Sequence, residues 1–170
     1  TMQQLLNYRF TDGSLAGQSF GNLFLAAMNG ISGSFDEAVH RMGDVLAITG
    51  RVLPVTNQDV RLEAEFHDGS RILGESKIFY AKKINNSRIR KVRLVPERPA
   101  ALPESVRAIR EADIVVIGPG SLYTSIIPNL LCPGMVDTLR HAQARIIYIC
   151  NVMTKHGEND GFYVDDFVRV

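Results

Sequence analysis

Tryptophan is absent from this 170-residue chain, and cysteine occurs at two positions only. Cys132 and Cys150 are too few to build a metal cluster. Cys150 ends the apolar run 145–150, a position typical of a small buried side chain in a reducing cytosol. The sparse cysteine content therefore excludes a disulfide-stapled secreted domain.

An excess of either charge is also missing, since 19 basic and 18 acidic residues leave a formal charge of +1. Bulk charge therefore predicts no polyanion-binding surface and no nucleic-acid partner. The apolar runs are shorter than the roughly 18 residues of a membrane span, and the first residues lack the regions of a signal peptide. The sequence predicts a soluble, cytoplasmic protein with no membrane span.

Alternating helix and strand patterns occupy the final third. They predict a helix at 103–112, a buried strand at 113–117, a helix at 133–142 and a second buried strand at 145–150. A right-handed crossover makes the two strands parallel neighbours. The fold class predicted here is α/β, with a three-layer, Rossmann-like parallel sheet.

Short β-rich runs interrupt this pattern and predict a small antiparallel insertion at 45–95, which leaves 1–44 and 96–170 as the core. The turn His67-Asp68-Gly69-Ser70 is a strong hairpin signal. Ser19 or Gly17 is predicted to open a first helix, and Ser34 to cap a second helix over 35–42. The predicted strands of the insertion are 45–49, 52–56, 60–66, 71–78 and 89–95.

Polar residues follow both predicted parallel strands. The first strand ends in Gly118-Pro119-Gly120-Ser121, and the second ends in a segment at 151–156 that supplies an amide, an ammonium and an imidazole. Ligands of open α/β sheets lie beyond the carboxyl ends of the strands, where glycines let backbone N–H groups approach an anion. A phosphorylated ligand fits this edge, although turn and helix-cap roles for the hydroxyls stay open as alternatives.

Three motifs resemble those of one bacterial family. Segment 118–130 reads Gly-Pro-Gly-Ser-Leu-Tyr-Thr-Ser-Ile-Ile-Pro-Asn-Leu, segment 17–22 reads Gly-Gln-Ser-Phe-Gly-Asn, and segment 151–158 reads Asn-Val-Met-Thr-Lys-His-Gly-Glu. In this order they resemble gluconeogenesis factors of the YvcK type, which belong to the superfamily of 2-phospho-L-lactate transferases. The resemblance implies binding of a UDP-sugar, notably UDP-N-acetylglucosamine, and a role in cell shape and wall synthesis on gluconeogenic carbon sources.

Residue types and resemblance together define one candidate site, for which no catalytic residue is assigned. Tyr123 is weighed equally as a stacking surface and as a packing residue. The candidate ligand-binding residues are Ser19, Gly21, Asn22, Gly118, Pro119, Gly120, Ser121, Tyr123, Thr124, Ser125, Asn151, Met153, Thr154 and Lys155.

Departures from the family pattern qualify this expectation. Gln18 stands where a histidine is usual, and Gln cannot titrate near neutrality. Lys155 and His156 replace the usual glutamine and proline. The family's N-terminal strand and Gly-Gly-Gly-Thr-Gly turn have no counterpart here, so the chain is expected to be a fragment.

The sequence also allows two other functions. The alternative enzyme is a phospholactate transferase acting on a deazaflavin, although that branch typically has Gly-Pro-Ser-Asn-Pro at the position of segment 118–122. A regulatory scaffold is a third hypothesis, based on cations of the insertion: Lys82, Lys83, Arg88, Arg90, Lys91 and Arg93. No cofactor is required; Mg²⁺ held by Glu158 and Asp160 through water, and a homodimer, are left open.

Overall fold

The computed structural model describes residues 1–84 and 87–170, without the side chains of residues 82–84. Lys82 and Lys83, two cations of the scaffold hypothesis, therefore have side chains outside the described part. The chain divides into two compact units, Thr1–Asn57 and Gln58–Val170. The predicted boundaries at residues 44 and 95 stay a prediction.

The first unit is helical. Its elements are α1 (Met2–Asn7), a 3₁₀ turn (Gly13–Leu15), α2 (Phe20–Ile31) and α3 (Phe35–Val45). Ser19 caps α2 by accepting the Asn22 N–H at 3.3 Å, and Ser34 caps α3 by accepting the Glu37 N–H at 3.4 Å. Both predicted helix starts are confirmed, because each hydroxyl satisfies a first-turn donor that has no partner inside the helix.

The strands predicted at 45–49 and 52–56 are wrong. Val45 is the last residue of α3, and residues 46–60, all within the described part, form turns and irregular backbone. Gly50 at φ +96° turns the chain sharply, and the apolar side chains of Val45 and Val52 are exposed. Without a neighbouring strand or a face to bury, the local β propensity of this segment does not produce a sheet.

The second unit begins with an antiparallel sheet in the order β2-β1-β3. Its strands are β1 (Arg61–Phe66), β2 (Arg71–Leu73) and β3 (Ile89–Val95). Leu62, Ala64 and Phe66 are buried on one face, as their alternation predicted. The opposite face is charged. Glu65 there lies 3.2 Å from Arg71, 3.1 Å from Arg90 and 3.6 Å from Lys91.

The strand predicted at 71–78 is wrong beyond Leu73. Gly74 has φ +101°, a left-handed conformation that ends the strand. Helix α4 follows at Glu75–Ile84, with the Glu75 carboxylate in its first turn, where the helix dipole favours negative charge. Ile78 is fully buried, so the apolar residues that looked like a strand form the inner side of a helix instead.

The α/β region confirms the predicted parallel pair. Helix α5 (Pro103–Glu111) precedes β4 (Ile114–Ile117), and helices α6 (Ile127–Leu130) and α7 (Met135–His141) lead to β5 (Arg145–Tyr148). Ile114 pairs with Arg145 and Ile117 with Tyr148 in parallel register. The unit ends with α8 (Val164–Arg169). A mixed α/β fold with a parallel and a small antiparallel sheet is thus confirmed.

The predicted burial of the parallel strands is wrong. Ile114 is 56% exposed and Val116 is 51% exposed. In the described part of the chain the parallel sheet has two strands, so each strand has an edge with no neighbour. None of the described helices is long and apolar enough to cross a lipid bilayer.

The hairpin turn between β1 and β2 gives a testable pH dependence. The carboxylate of Asp68 accepts the Ser70 hydroxyl at 2.6 Å and the Ser70 N–H at 2.9 Å, and these hydrogen bonds hold the pKa of Asp68 below its usual value. Because the folded-state pKa is lowered, we expect the stabilisation to be present above the ordinary aspartate pKa and to be lost as pH falls through the lowered value. Urea unfolding from pH 7 down to pH 3 should show a smaller acid-induced loss of stability for Asp68→Asn than for wild type. Equal losses would contradict this assignment.

Candidate functional site

The candidate site begins where β4 and β5 end side by side. Gly118 follows β4 with φ +82°, and a Cβ there would lie 2.9 Å from the carbonyl oxygen of Ile149. Such a contact is closer than van der Waals radii allow, and the left-handed backbone is also costly for a residue with a side chain. Glycine at 118 therefore lets the loop turn tightly against the end of the neighbouring strand.

A single π-helical turn, Leu122–Ile126, follows this corner and runs into α6. The predicted hydroxyl groups belong to Ser121, which precedes the turn, and to its third and fourth residues, Thr124 and Ser125. Ser121 and Thr124 are half-buried, whereas Ser125 and Pro119 are exposed. The Ser125 carbonyl accepts the side-chain amide of Asn129 at 2.7 Å, which ties the turn to the next one.

Glu158 accepts the hydrogen bonds that hold this turn in place. It is fully buried, and its Oε1 accepts the Ser121 hydroxyl at 2.6 Å and the Tyr123 backbone N–H at 3.1 Å. Thr124 in turn donates its hydroxyl to Ser121 Oγ at 2.8 Å. A buried carboxylate is tolerated where hydrogen bonds and opposite charge compensate its desolvation, and both are present here.

The second polar loop, after β5, wraps onto the first. Asn151 donates its side-chain amide to the carbonyl of Gly120 at 2.7 Å. The Lys155 ammonium lies 3.9 Å from Glu158 Oε2, and the Lys155 N–H donates to the buried Asn159 side chain at 2.6 Å. The structure thus brings together Gly118, Gly120, Ser121, Thr124, Asn151 and Lys155, as the sequence predicted for the ends of parallel strands.

Tyr123 lies beneath this arrangement. Its ring is buried, and burial, with the neighbouring charge of Glu158, raises the pKa of its phenol. Of the two alternatives weighed for this residue, packing under the loop is the one that its environment favours, since a stacking surface for a base has to be open.

Met153 and Thr154 have open surroundings. Met153 is 79% exposed, and Thr154 is exposed as well. Ser19, Gly21 and Asn22 belong to the first unit. There Ser19 serves as the helix cap, Asn22 is exposed, and a Cβ on Gly21 would lie 2.9 Å from the Leu6 carbonyl oxygen, so Gly21 allows α1 to approach α2 closely.

A groove of about 320 Å³ lies beside the turn, between β4 and helices α6 and α7. Its size reaches the lower end of the range for small-molecule sites. Gly118, Pro119, Ser125 and Asn129 are among the residues that line it, and the other lining residues are apolar. The corner therefore combines a polar cluster with an adjacent apolar groove.

The two suggested Mg²⁺ ligands make different contacts in the structure. Glu158 faces the turn, while Asp160 accepts the Gly157 N–H at 2.6 Å and lies 3.3 Å from His156. Among the described residues, no group of three or more His, Cys, Asp or Glu side chains is placed to hold a metal ion. The sequence suggests Glu158 only as a metal ligand, and no sequence pattern indicates its buried contact with Ser121.

Fold and site define an α/β protein whose polar loops meet at the carboxyl ends of parallel strands. The family profile described as 2-phospho-L-lactate transferase CofD matches residues 1–170. The chain belongs to this CofD family, as the resemblance of its three motifs implied.

Two similar proteins within the family are named gluconeogenesis factors. The gluconeogenesis factor of Bacillus subtilis is 47% identical over 169 residues, which are 99% of this chain and 52% of that protein. The gluconeogenesis factor of Halalkalibacterium halodurans is 45% identical over 169 residues, which cover 99% of this chain and 51% of the relative. This chain therefore spans about half the length of these relatives.

A solved structure shows the same fold. The crystal structure of a UPF0052 family protein from Bacillus halodurans matches with a TM-score of 0.89 and 45% identity, covering 99% of this chain and 53% of that one. The solved structure thus agrees with the α/β fold described above.

Proposed function

We propose that the protein binds a UDP-sugar, notably UDP-N-acetylglucosamine, at the corner formed by residues 118–125 and 151–155. The observation that carries this proposal is the meeting of two polar loops at the carboxyl ends of β4 and β5, where α/β proteins bind nucleotides. Hydroxyls, an amide and an ammonium suit a ligand that has both phosphate and sugar groups.

Lys155 supplies the positive charge that such a ligand requires. Its side chain is 47% exposed, so its ammonium can interact with a diphosphate while it still lies near Glu158. Lysine is well suited to phosphate as a compact charge with rotatable donors. The N–H groups of Tyr123, Ser125 and Ile126 are already bonded within the protein, so we expect further backbone donors at this edge from residues 120–121.

The proposed cellular role follows the names of the relatives. Proteins that are 47% and 45% identical to this chain are called gluconeogenesis factors. We infer a cytoplasmic protein that couples UDP-sugar binding to cell shape and wall synthesis during growth on gluconeogenic carbon sources.

Calorimetric titration of the full-length protein with UDP-N-acetylglucosamine tests this proposal. We expect saturable binding to wild type and roughly ten- to hundredfold weaker binding to Lys155→Ala, because a charge-assisted contact contributes about 1.5–3 kcal/mol. Lys77→Ala, which changes an exposed lysine on α4, is the control and should bind like wild type. Absence of heat from wild type at millimolar ligand would remove the proposal.

A second candidate is a phospholactate transferase that acts on a deazaflavin acceptor. The family description favours it. The Gly-Ser-Leu sequence at 120–122, where that branch has Ser-Asn-Pro, counts against it. Incubation with donor and deazaflavin followed by mass spectrometry decides the question, since an unmodified acceptor ends this alternative.

A further inference from the structure

The hydroxyl groups of Ser121 and Thr124 form a chain of hydrogen bonds in which each proton points toward Glu158. Glu158 Oε1 accepts the Tyr123 backbone N–H, a group that can only donate, so this oxygen acts as an acceptor. A carboxylate has no proton to donate, so Ser121, which shares the same oxygen at 2.6 Å, donates its hydroxyl proton to it. Ser121 has no second proton, so the hydrogen bond between the two hydroxyls takes its proton from Thr124. The order is Thr124 to Ser121 to Glu158.

This direction decides what the two hydroxyls can offer a ligand. A hydroxyl has one proton and two lone pairs. With both protons directed inward, Ser121 retains one lone pair and Thr124 retains two. Both residues are half-buried rather than enclosed, so these lone pairs are within reach of a bound molecule.

An ionised phosphate oxygen is also an acceptor and gains nothing from a lone pair. A sugar hydroxyl, in contrast, can donate a proton to Ser121 or Thr124. We infer that Ser121 and Thr124 recognise a hydroxyl group of the ligand's ribose or hexose, and that Glu158 is the positioning residue that imposes this preference. The inference rests on the proposed UDP-sugar function, and it departs from the expectation that these alcohols bind the phosphates.

The same geometry indicates that the phosphates of the ligand bind to a different group of the site, the Lys155 ammonium. Lys155 is the charged donor of the corner, and its ammonium is partly exposed. Sugar recognition by the turn and diphosphate recognition by Lys155 then use different groups of one site. A ligand without sugar hydroxyls should therefore be insensitive to the loss of the Ser121 oxygen.

Fluorinated ligands test whether the turn accepts a proton from a sugar hydroxyl, because fluorine replaces a hydroxyl group but cannot donate a proton. The full-length protein is titrated with UDP-N-acetylglucosamine and with analogues in which one ribose or hexose hydroxyl is replaced by fluorine. We expect one analogue to bind wild type roughly tenfold more weakly than the parent ligand, a factor typical of one hydrogen bond. Ser121→Ala should weaken the parent by a similar factor and should not weaken that analogue further.

Thr124→Val is a second variant of nearly unchanged shape, and Ser76→Ala, on an exposed position of α4, is the matched control expected to bind like wild type. Circular dichroism verifies that each variant is folded. If Ser121→Ala and Thr124→Val weaken the parent and every analogue by the same factor, the hydroxyls contact the common phosphates and the inference is overturned. Unchanged binding of the parent by both variants overturns it as well.

A ligand-free measurement separates this inference from the proposed function. In a neutron structure of the deuterated protein, the Ser121 deuteron should lie between Oγ and Glu158 Oε1. A Ser121 deuteron directed toward solvent would overturn the inference even where UDP-sugars bind. Conversely, a Ser121 deuteron directed at Glu158 Oε1 together with no UDP-sugar binding would reject the UDP-sugar ligand and keep the acceptor character of the turn.

Discussion

Replacing Gly118 by alanine is expected to destabilise the protein and to weaken UDP-N-acetylglucosamine binding by more than tenfold. The backbone at φ +82° costs a residue with a side chain about 1–3 kcal/mol. In addition, the new Cβ would meet the Ile149 carbonyl oxygen at 2.9 Å, so the loop has to move away from β5. Urea unfolding measures the first effect and calorimetry the second.

Gly134→Ala is the matched control for this experiment. Gly134 has a similar φ of +87°, but a Cβ there would have no neighbouring heavy atom within 4 Å. It should show the cost of the left-handed backbone alone and should leave ligand binding unchanged. If both variants lose the same stability and bind equally well, the close approach of the loop to Ile149 has no functional importance.

Replacing Phe66 by alanine should lower the free energy of unfolding by about 3–5 kcal/mol, the usual cost of truncating a buried phenylalanine. Phe66 is fully buried at the end of β1, and Ala64 and Ile78 of the same unit are equally buried. Since domains of this size are stable by only about 5–15 kcal/mol, this loss is a large part of the total. Urea unfolding at neutral pH gives the value.

Phe79→Ala is the control, because Phe79 lies one residue beyond Ile78 but is 41% exposed. Its truncation removes less apolar surface from the interior and should cost about 1 kcal/mol. Similar losses for Phe66 and Phe79 would show that the inner face of β1 is not the main core of the second unit.

Sequence patterns predicted the elements whose signals are local. Ser19 and Ser34 mark helix starts through their own hydrogen bonds, and the Asp68-Gly69 turn fixes the hairpin by its backbone preference. Residues 45–56 and 74–78 were assigned wrongly as strands because β propensity there depended on neighbours that the fold does not provide. Burial of β4 and β5 was overestimated for the same reason, since burial depends on what packs against a strand.

The candidate site was predicted as a set of neighbours but not as a hydrogen-bond network. Parallel strands imply that Ser121 and Asn151 meet, because their carboxyl ends share one edge. No sequence pattern shows that Glu158, 37 positions after Ser121, lies buried against it. That contact depends on how the second loop folds back, and it changes the expected role of the hydroxyls from donors to acceptors.

A crystal structure of the full-length protein with UDP-N-acetylglucosamine would show whether the ligand binds at the corner of residues 118–125. We expect the diphosphate within hydrogen-bonding distance of Lys155 or of backbone N–H groups after Gly118, and a sugar hydroxyl on Ser121 or Thr124. Ligand density elsewhere on the protein, with the corner of residues 118–125 unoccupied, would contradict it.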